Sequence, residues 1–324
     1  MGRLYPQKTN QGEVSMWKYI LKRLGYMLLT LLAVVSITFL LVHSIPGDPF
    51  TSMVEDLPEE TRQLYMEKYG FDQPLIVQYV RYIKQLLTGD LGASLRYPGR
   101  KVGEIVSQYA PISASIGGLA LGFGIVLGLT LGIVAALKQN RWPDRLVMVL
   151  ALMGTAIPTF VIAAVLQYAL TVTWPVFPTT GYGTWKHLVL PVTCMCVSPL
   201  ASYARYMRSS VLDTAGQDYI LTAEAKGVSR FHIATRHILR NAILPCITMI
   251  CVSVGGIFSG SFIIEKIFAI PGLGKYFISA INDRDYSVVL GLNVIFTGIY
   301  VMAMLLSDIL LMLCDPRLRL SNEK

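Results

Sequence analysis

The chain has 324 residues, 53% hydrophobic and only 15% charged, with a mean hydropathy of +0.53. A soluble domain carries about 25% charged residues, and several apolar windows here approach the ~20 residues that cross a bilayer, which excludes a soluble fold. The formal charge of +8 raises nucleic acid as a partner, but in a membrane protein excess Lys and Arg marks cytoplasmic loops.

Residues 1–17 are polar, and no small-residue cleavage pattern follows the next apolar run, which therefore reads as a retained span rather than a signal peptide. Either Met1 or Met16 is the start, since "MWKYILKRLGY" from Met16 is a sufficient basic N-terminus by itself. The economical parse has six spans, at about 20–42, 105–137, 147–170, 188–207, 241–264 and 288–313. It divides the chain into an N-terminal part with the first span (1–42), an extracytoplasmic helical insertion (43–104), a core of spans two to six (105–313) and a tail (314–324).

In the insertion, "PEETRQLYMEKYG" and "QPLIVQYVRYIKQLLTG" share one grammar, with Pro58 or Pro74 at the start and Gly70 or Gly89 at the stop. Each predicts a short external helix. The second span is long enough to begin as a surface helix or to cross with a tilt. Its Gly124, Gly128 and Gly132 share a face suited to close helix approach, or to a path along which helices slide. Pro191 and Pro199 interrupt the fourth span and Pro245 the fifth, as neighbouring helices permit. Asp308, near the end of the last span, reads as a helix-end acid paired with Arg317 or Arg319.

With the N-terminus inside, segments 1–23, 138–145, 205–240 and 314–324 hold 17 Lys/Arg against 7 Asp/Glu, whereas the outside segments hold 11 against 12. The asymmetry supports an N-in, C-in orientation and accounts for the basic charge without nucleic acid.

Catalytic signatures are missing. No G-x-x-x-x-G-K-[ST] loop occurs, and "PGLGKYF" lacks its spacing. His43, His187, His232 and His237 have no metal-ligand spacing, and the five cysteines read as packed thiols. An enzyme is the weakest reading, no cofactor is expected on this chain, and active transport requires an energy source on another protein.

One stretch is polar between two spans: "DYILTAEAKGVSRFHIATRHILRN", residues 218–241. Asp218 reads as an N-cap, Gly227 as a left-handed stop and Ser229 as a second N-cap, giving helix, turn, helix. Ile220, Ala223, Gly227, Phe231, Ala234 and Ile238 recur at helical steps as a narrow stripe. Such a helix suits either anionic lipid or a protein groove, and its small residues and glycine break favour the groove.

"TAEAKGVSRFHIATRHILRNAILP" resembles the cytoplasmic motif of ABC importer permeases, E-A-A-x3-G-x9-I-x-L-P. Aligned on Gly227, the motif's first three positions fall on Leu221, Thr222 and Ala223, so Glu224 is out of register; His237 and Arg240 depart from it as in the peptide-importer branch. "PGDPF" (46–50), "IEKIFAIPGLGKYFISAINDRDYSVV" (264–289) and "DPRLRL" (315–320) are similar to blocks of oligopeptide permeases in the same order.

The resemblance implies an all-α, six-span type I importer permease in a bacterial cytoplasmic membrane. It implies a coupling loop at about 208–240 in which Tyr219, Thr222, Ala223, Lys226 and Gly227 meet the ATPase, Ala223 and Gly227 by close approach and Thr222 and Lys226 by polar contact. It implies candidate binding-protein contacts in residues 44–104 and in the turn of Pro271, Gly272 and Gly274, the turn also as part of an outer gate, with a plain capping loop as the equal alternative for the turn. The implied partners are a second homologous permease, two cytoplasmic ATPase subunits that bind ATP and Mg, an external substrate-binding protein and the lipid bilayer. The expected cargo is peptide; nickel chelates or glutathione-like solutes on the same architecture, and a stand-alone secondary transporter or channel, are the alternatives.

Overall fold

The computed structural model describes residues 11–44, 63, 66–67, 70–97, 99–257 and 262–314. Apart from one isolated bridge between Ala93 and Lys101, the regular structure among them is helical. In chain order the helices are α1 (Gln11–Ser44), α2 (Leu75–Leu87), α3 (Val102–Leu137), α4 (Trp142–Ala156), α5 (Thr159–Thr173), α6 (Trp185–Ala215), α7 (Asp218–Ala225), α8 (Arg230–Ala242), α9 (Leu244–Gly255), α10 (Phe262–Ile267), α11 (Leu273–Asn282) and α12 (Tyr286–Cys314). Tyr168–Thr173 in α5 and Ile233–Leu239 in α8 are π-helical.

Among the described residues four helices are long and apolar enough to cross a bilayer, or up to six spans if each of two bent pairs is one crossing. The expected third span is such a pair: α4 and α5 meet at 98°. Pro158 causes the break by forcing Ile157 into extended backbone, at φ −85° and ψ 123°. The expected fifth span also differs, because Pro245 sits in the first turn of α9, where its missing N–H costs nothing. Conversely, Pro191 and Pro199 do not break α6, which continues past the expected end at 207 to Ala215. The second span is one helix from Val102, about 54 Å long, with Pro111 inside it. Of the two external helices, α2 forms between Pro74 and Gly89; most of the first lies outside the described residues, as do "PGDPF" and "DPRLRL".

The largest helix interface joins α3 to α6. A Cβ on Gly124 would lie 2.9 Å from Pro199, one on Gly128 2.7 Å from the Leu200 carbonyl, and one on Gly132 2.8 Å from the Met207 Cβ. Residue numbers rise together along both helices, so α3 and α6 run parallel. Lipid tails are as apolar as leucine, so this contact is held by van der Waals packing, which the missing side chains permit. The glycine face is therefore a packing face.

α12 runs antiparallel to α1: Asn293 donates to the Thr38 hydroxyl at 2.5 Å, and further along Arg23 pairs with Asp308 at 2.9 Å. Asp308 thus has its partner on the first helix; Arg317 and Arg319 lie outside the described residues. These directions gather the start of α1, the end of α12, the α3–α4 loop and the α7–α8 hairpin at one end of the bundle. α2, the loop before α3, α11 and the start of α12 lie at the other.

Candidate functional site

α6 passes through Gly216 and Gln217 into α7. Gln217 occupies the N-cap position, so Asp218 is the first helical residue rather than the expected cap, its charge at the positive end of the helix dipole. At the other end of α7, the Gly227 N–H donates to the Glu224 carbonyl at 2.9 Å and the Val228 N–H to the Ala223 carbonyl at 3.2 Å. This is the Schellman closure, with Gly227 at φ +74°. Ser229 then caps α8, its hydroxyl accepting from the His232 N–H at 3.4 Å.

Ile220, Ala223 and Ile233 are buried together, with Val228 and Ile238 against them. Ala223 therefore belongs to the hairpin's own core. The left-handed residue resets the helical phase, so the expected stripe does not continue across the turn. Val228 and Ile233 enter the core, while Phe231 leaves it and is 79% exposed. Leu221 is 63% exposed, and Tyr219, Thr222, Lys226 and Gly227 also lie on the surface. The Asn241 side-chain amide donates to the Tyr219 hydroxyl at 3.1 Å, tying α7 to α8. A Cβ on Gly227 would meet nothing within 4 Å. The outer surface is thus apolar at Leu221 and Phe231 and rimmed by exposed Lys226, Arg230, Arg236 and Arg240.

Beside this hairpin an ion pair joins two spans. Arg208 on α6 donates to both carboxylate oxygens of Asp144 on α4, at 2.5 and 2.8 Å. Asp144 is buried and accepts a third bond from the Asn140 N–H at 2.9 Å.

At the opposite end, Pro271 is half-buried and Gly272 and Gly274 are buried. Gly272 is the N-cap of α11. The buried Glu265 carboxylate accepts from the Ser113 hydroxyl at 2.6 Å and from the Lys275 N–H at 3.1 Å, while Ser113 accepts from the Leu273 N–H at 2.8 Å. A Cβ on Gly274 would lie 2.6 Å from the Phe262 Cα, and one on Gly272 would overlap Glu265. The turn caps α11 and fastens it to α3; the exposed residue beside it is Lys275. Next to it, burial first and donation to Tyr109 at 2.7 Å second raise the Tyr276 phenol above its ordinary range.

Between α3, α5, α6 and α9 lies a recess of about 400 Å³ lined by neutral side chains, including the hydroxyls of Thr159, Ser198, Ser202, Tyr203 and Ser253. Tyr203 donates to Ser253 at 2.8 Å. Pro199, with no N–H, cannot donate to the carbonyl of Met195 one turn earlier in α6. Sequence reading missed this group: single hydroxyls in apolar spans have no motif, and Pro199 was the one local signal. Among the described residues no group of His, Cys, Asp and Glu is arranged to hold a metal ion.

The model of a family described as "Binding-protein-dependent transport system inner membrane component" matches residues 128–320, and that of its N-terminal region matches residues 16–97. The chain is 41% identical over 309 residues to the dipeptide transport system permease protein DppB of Bacillus subtilis, covering 95% of this chain and 100% of that one. It is 37% identical to the oligopeptide transport system permease protein OppB of Haemophilus influenzae, over 94% and 100% of the two chains. The glutathione transport system permease protein GsiC of Salmonella paratyphi A is 36% identical, over 94% and 99%.

Proposed function

We propose, for a chain that belongs to the family of binding-protein-dependent transport system inner membrane components, that it is the permease subunit of an ATP-driven importer of dipeptides or oligopeptides. The observation that carries this reading is the α7–α8 hairpin, a rigid, self-buried knob that leaves Leu221 and Phe231 uncovered at an end rich in basic residues. Apolar side chains exposed on a polar, basic loop outside the spans, where lipid does not cover them, fit a protein-docking face. One of two cytoplasmic ATPase subunits occupies it, with ATP and Mg bound on the ATPases and not on this chain. Thr222, Lys226 and Tyr219 contact the ATPase directly, and Ala223 supports the knob from within.

In this reading the bundle is a six-span, N-in and C-in multi-pass protein, paired with a second, homologous permease. The hairpin end faces the cytoplasm, as its charge asymmetry favours. An external binding protein delivers peptide to the opposite end, where Pro271, Gly272 and Gly274 hold α11 in place beneath the docking face. ATP-driven closure of the ATPases moves the hairpin, and the recess between α3, α5, α6 and α9 opens alternately to either side. Its uncharged hydroxyls suit the peptide backbone common to all cargo.

The test is co-purification and reconstitution. A stable complex with two nucleotide-binding subunits, taking up labelled peptide only with ATP and binding protein, is the expected result. Uptake by the lone reconstituted chain would overturn the assignment in favour of a secondary transporter. ATP-driven uptake of a nickel chelate with no competition by peptides would overturn the cargo alone.

A further inference from the structure

α2 has two unlike sides. Toward α1, the Tyr79 hydroxyl lies 2.6 Å from that of Ser36, and the rings of Tyr79 and Tyr82 pack on Phe39 with centroids 5.3 and 5.9 Å apart. Away from it, Ile76, Val80, Ile83 and Leu87 fall within a narrow arc of the helix, at steps of four, three and four. Ile76 is 68% and Leu87 82% exposed. Arg81 and Lys84, both exposed, edge this stripe on one flank.

The position of α2 decides what covers the stripe. Ser36 lies eight residues before the end of α1, which at 1.5 Å per residue is about 12 Å down the helix. At that level α1 exposes Ile37, Leu40 and Leu41, as a membrane span exposes its lipid-facing side. α2 is thus held against α1 at the level of these exposed apolar residues, and Arg81 and Lys84 flank its stripe as cations flank an interfacial helix.

We propose that α2 is an interfacial helix that rests in the leaflet at this end of the bundle. Ile76, Val80 and Leu87 sit among the acyl chains, and Arg81 and Lys84 extend to the phosphates. The bound partner is phospholipid. The contact would brace the end of the bundle at which α2, α11 and the start of α12 meet, independently of what the protein carries.

Nitroxide labels report it directly. Ile76→Cys, Leu87→Cys and, as a control on the preceding exposed loop, Gln73→Cys are labelled in the complete transporter, with its five native cysteines replaced, in phosphatidylcholine–phosphatidylglycerol nanodiscs. Each label's collision with oxygen, which concentrates in lipid, is compared with that of a water-soluble nickel chelate. The oxygen-to-nickel ratio should be several-fold higher at 76 and 87 than at 73. Equal ratios at all three sites place the stripe in water and overturn the proposal. Shielding of 76 and 87 from both reagents also overturns it, by placing another subunit on that face.

Discussion

Gly227 and Gly272 are both glycines for backbone reasons, but the reasons differ. Gly227 has open space around it and a positive φ, so a side chain there costs conformation rather than contact, about 1–2 kcal/mol. Gly227→Asn, which tolerates the left-handed region, should keep ATP-driven uptake, whereas Gly227→Leu should insert normally and lose most of it. Equal uptake by the two variants would count against the turn's role. At Gly272 the obstacle is the buried Glu265 carboxylate. Gly272→Ala should therefore destabilise the chain by about 1–3 kcal/mol through overpacking, seen as a lower melting temperature of the purified complex. Glu265→Ala, which strands the Ser113 hydroxyl and the Lys275 N–H, should cost a similar amount. The turn at Gly227 was legible because a left-handed stop followed by a serine cap is a local signal. The inward turn of Ala223 was not, because it depends on how α8 folds back. Glu265 could not be recognised as buried either, since its partner Ser113 lies 152 residues away.

Among the elements, helix existence was readable and the bends within apolar segments were not. Residues 147–170 are evenly apolar, and hydropathy has no term for the 98° bend at Pro158. Proline was visible in the sequence, yet its effect depends on packing: Pro199 is absorbed inside α6 against Gly124, while Pro158 breaks a helix. Charge pairing across elements is equally invisible, as Asp144 and Arg208 stand 64 positions apart. Removing Arg208 leaves a buried, uncompensated carboxylate, so Arg208→Met should cost about 3–5 kcal/mol. Asp144→Leu combined with Arg208→Met should recover a large part of that loss, because no charge then remains to be desolvated. Thermal unfolding of the four proteins in the cycle measures the coupling; additive losses would show that the two residues contribute independently.

At the scale of the molecule, the sequence predicted which segments share a side, and helix directions in the structure agree: both ends of the described chain and the hairpin lie together. Which side is the cytoplasm rests on the charge asymmetry. On intact cells an impermeant thiol reagent should label Tyr97→Cys and leave Leu221→Cys untouched, and inverted vesicles should reverse the pattern. Labelling of both positions from one side would disprove the topology.

α6 is unbroken from Trp185 to Ala215, and only Gly216 and Gln217 separate it from α7. Ser202, on the recess wall, and Ala215 are thus two stations on one stiff rod, about 20 Å apart, and Arg208 clamps α4 to that rod between them. A rod has no slack, so the wall does not need to be told separately that the hairpin has moved. If the hairpin is where the ATPase grips, as proposed, a displacement of one ångström there arrives at the recess almost undiminished, and the stroke of the engine becomes the stroke of the door.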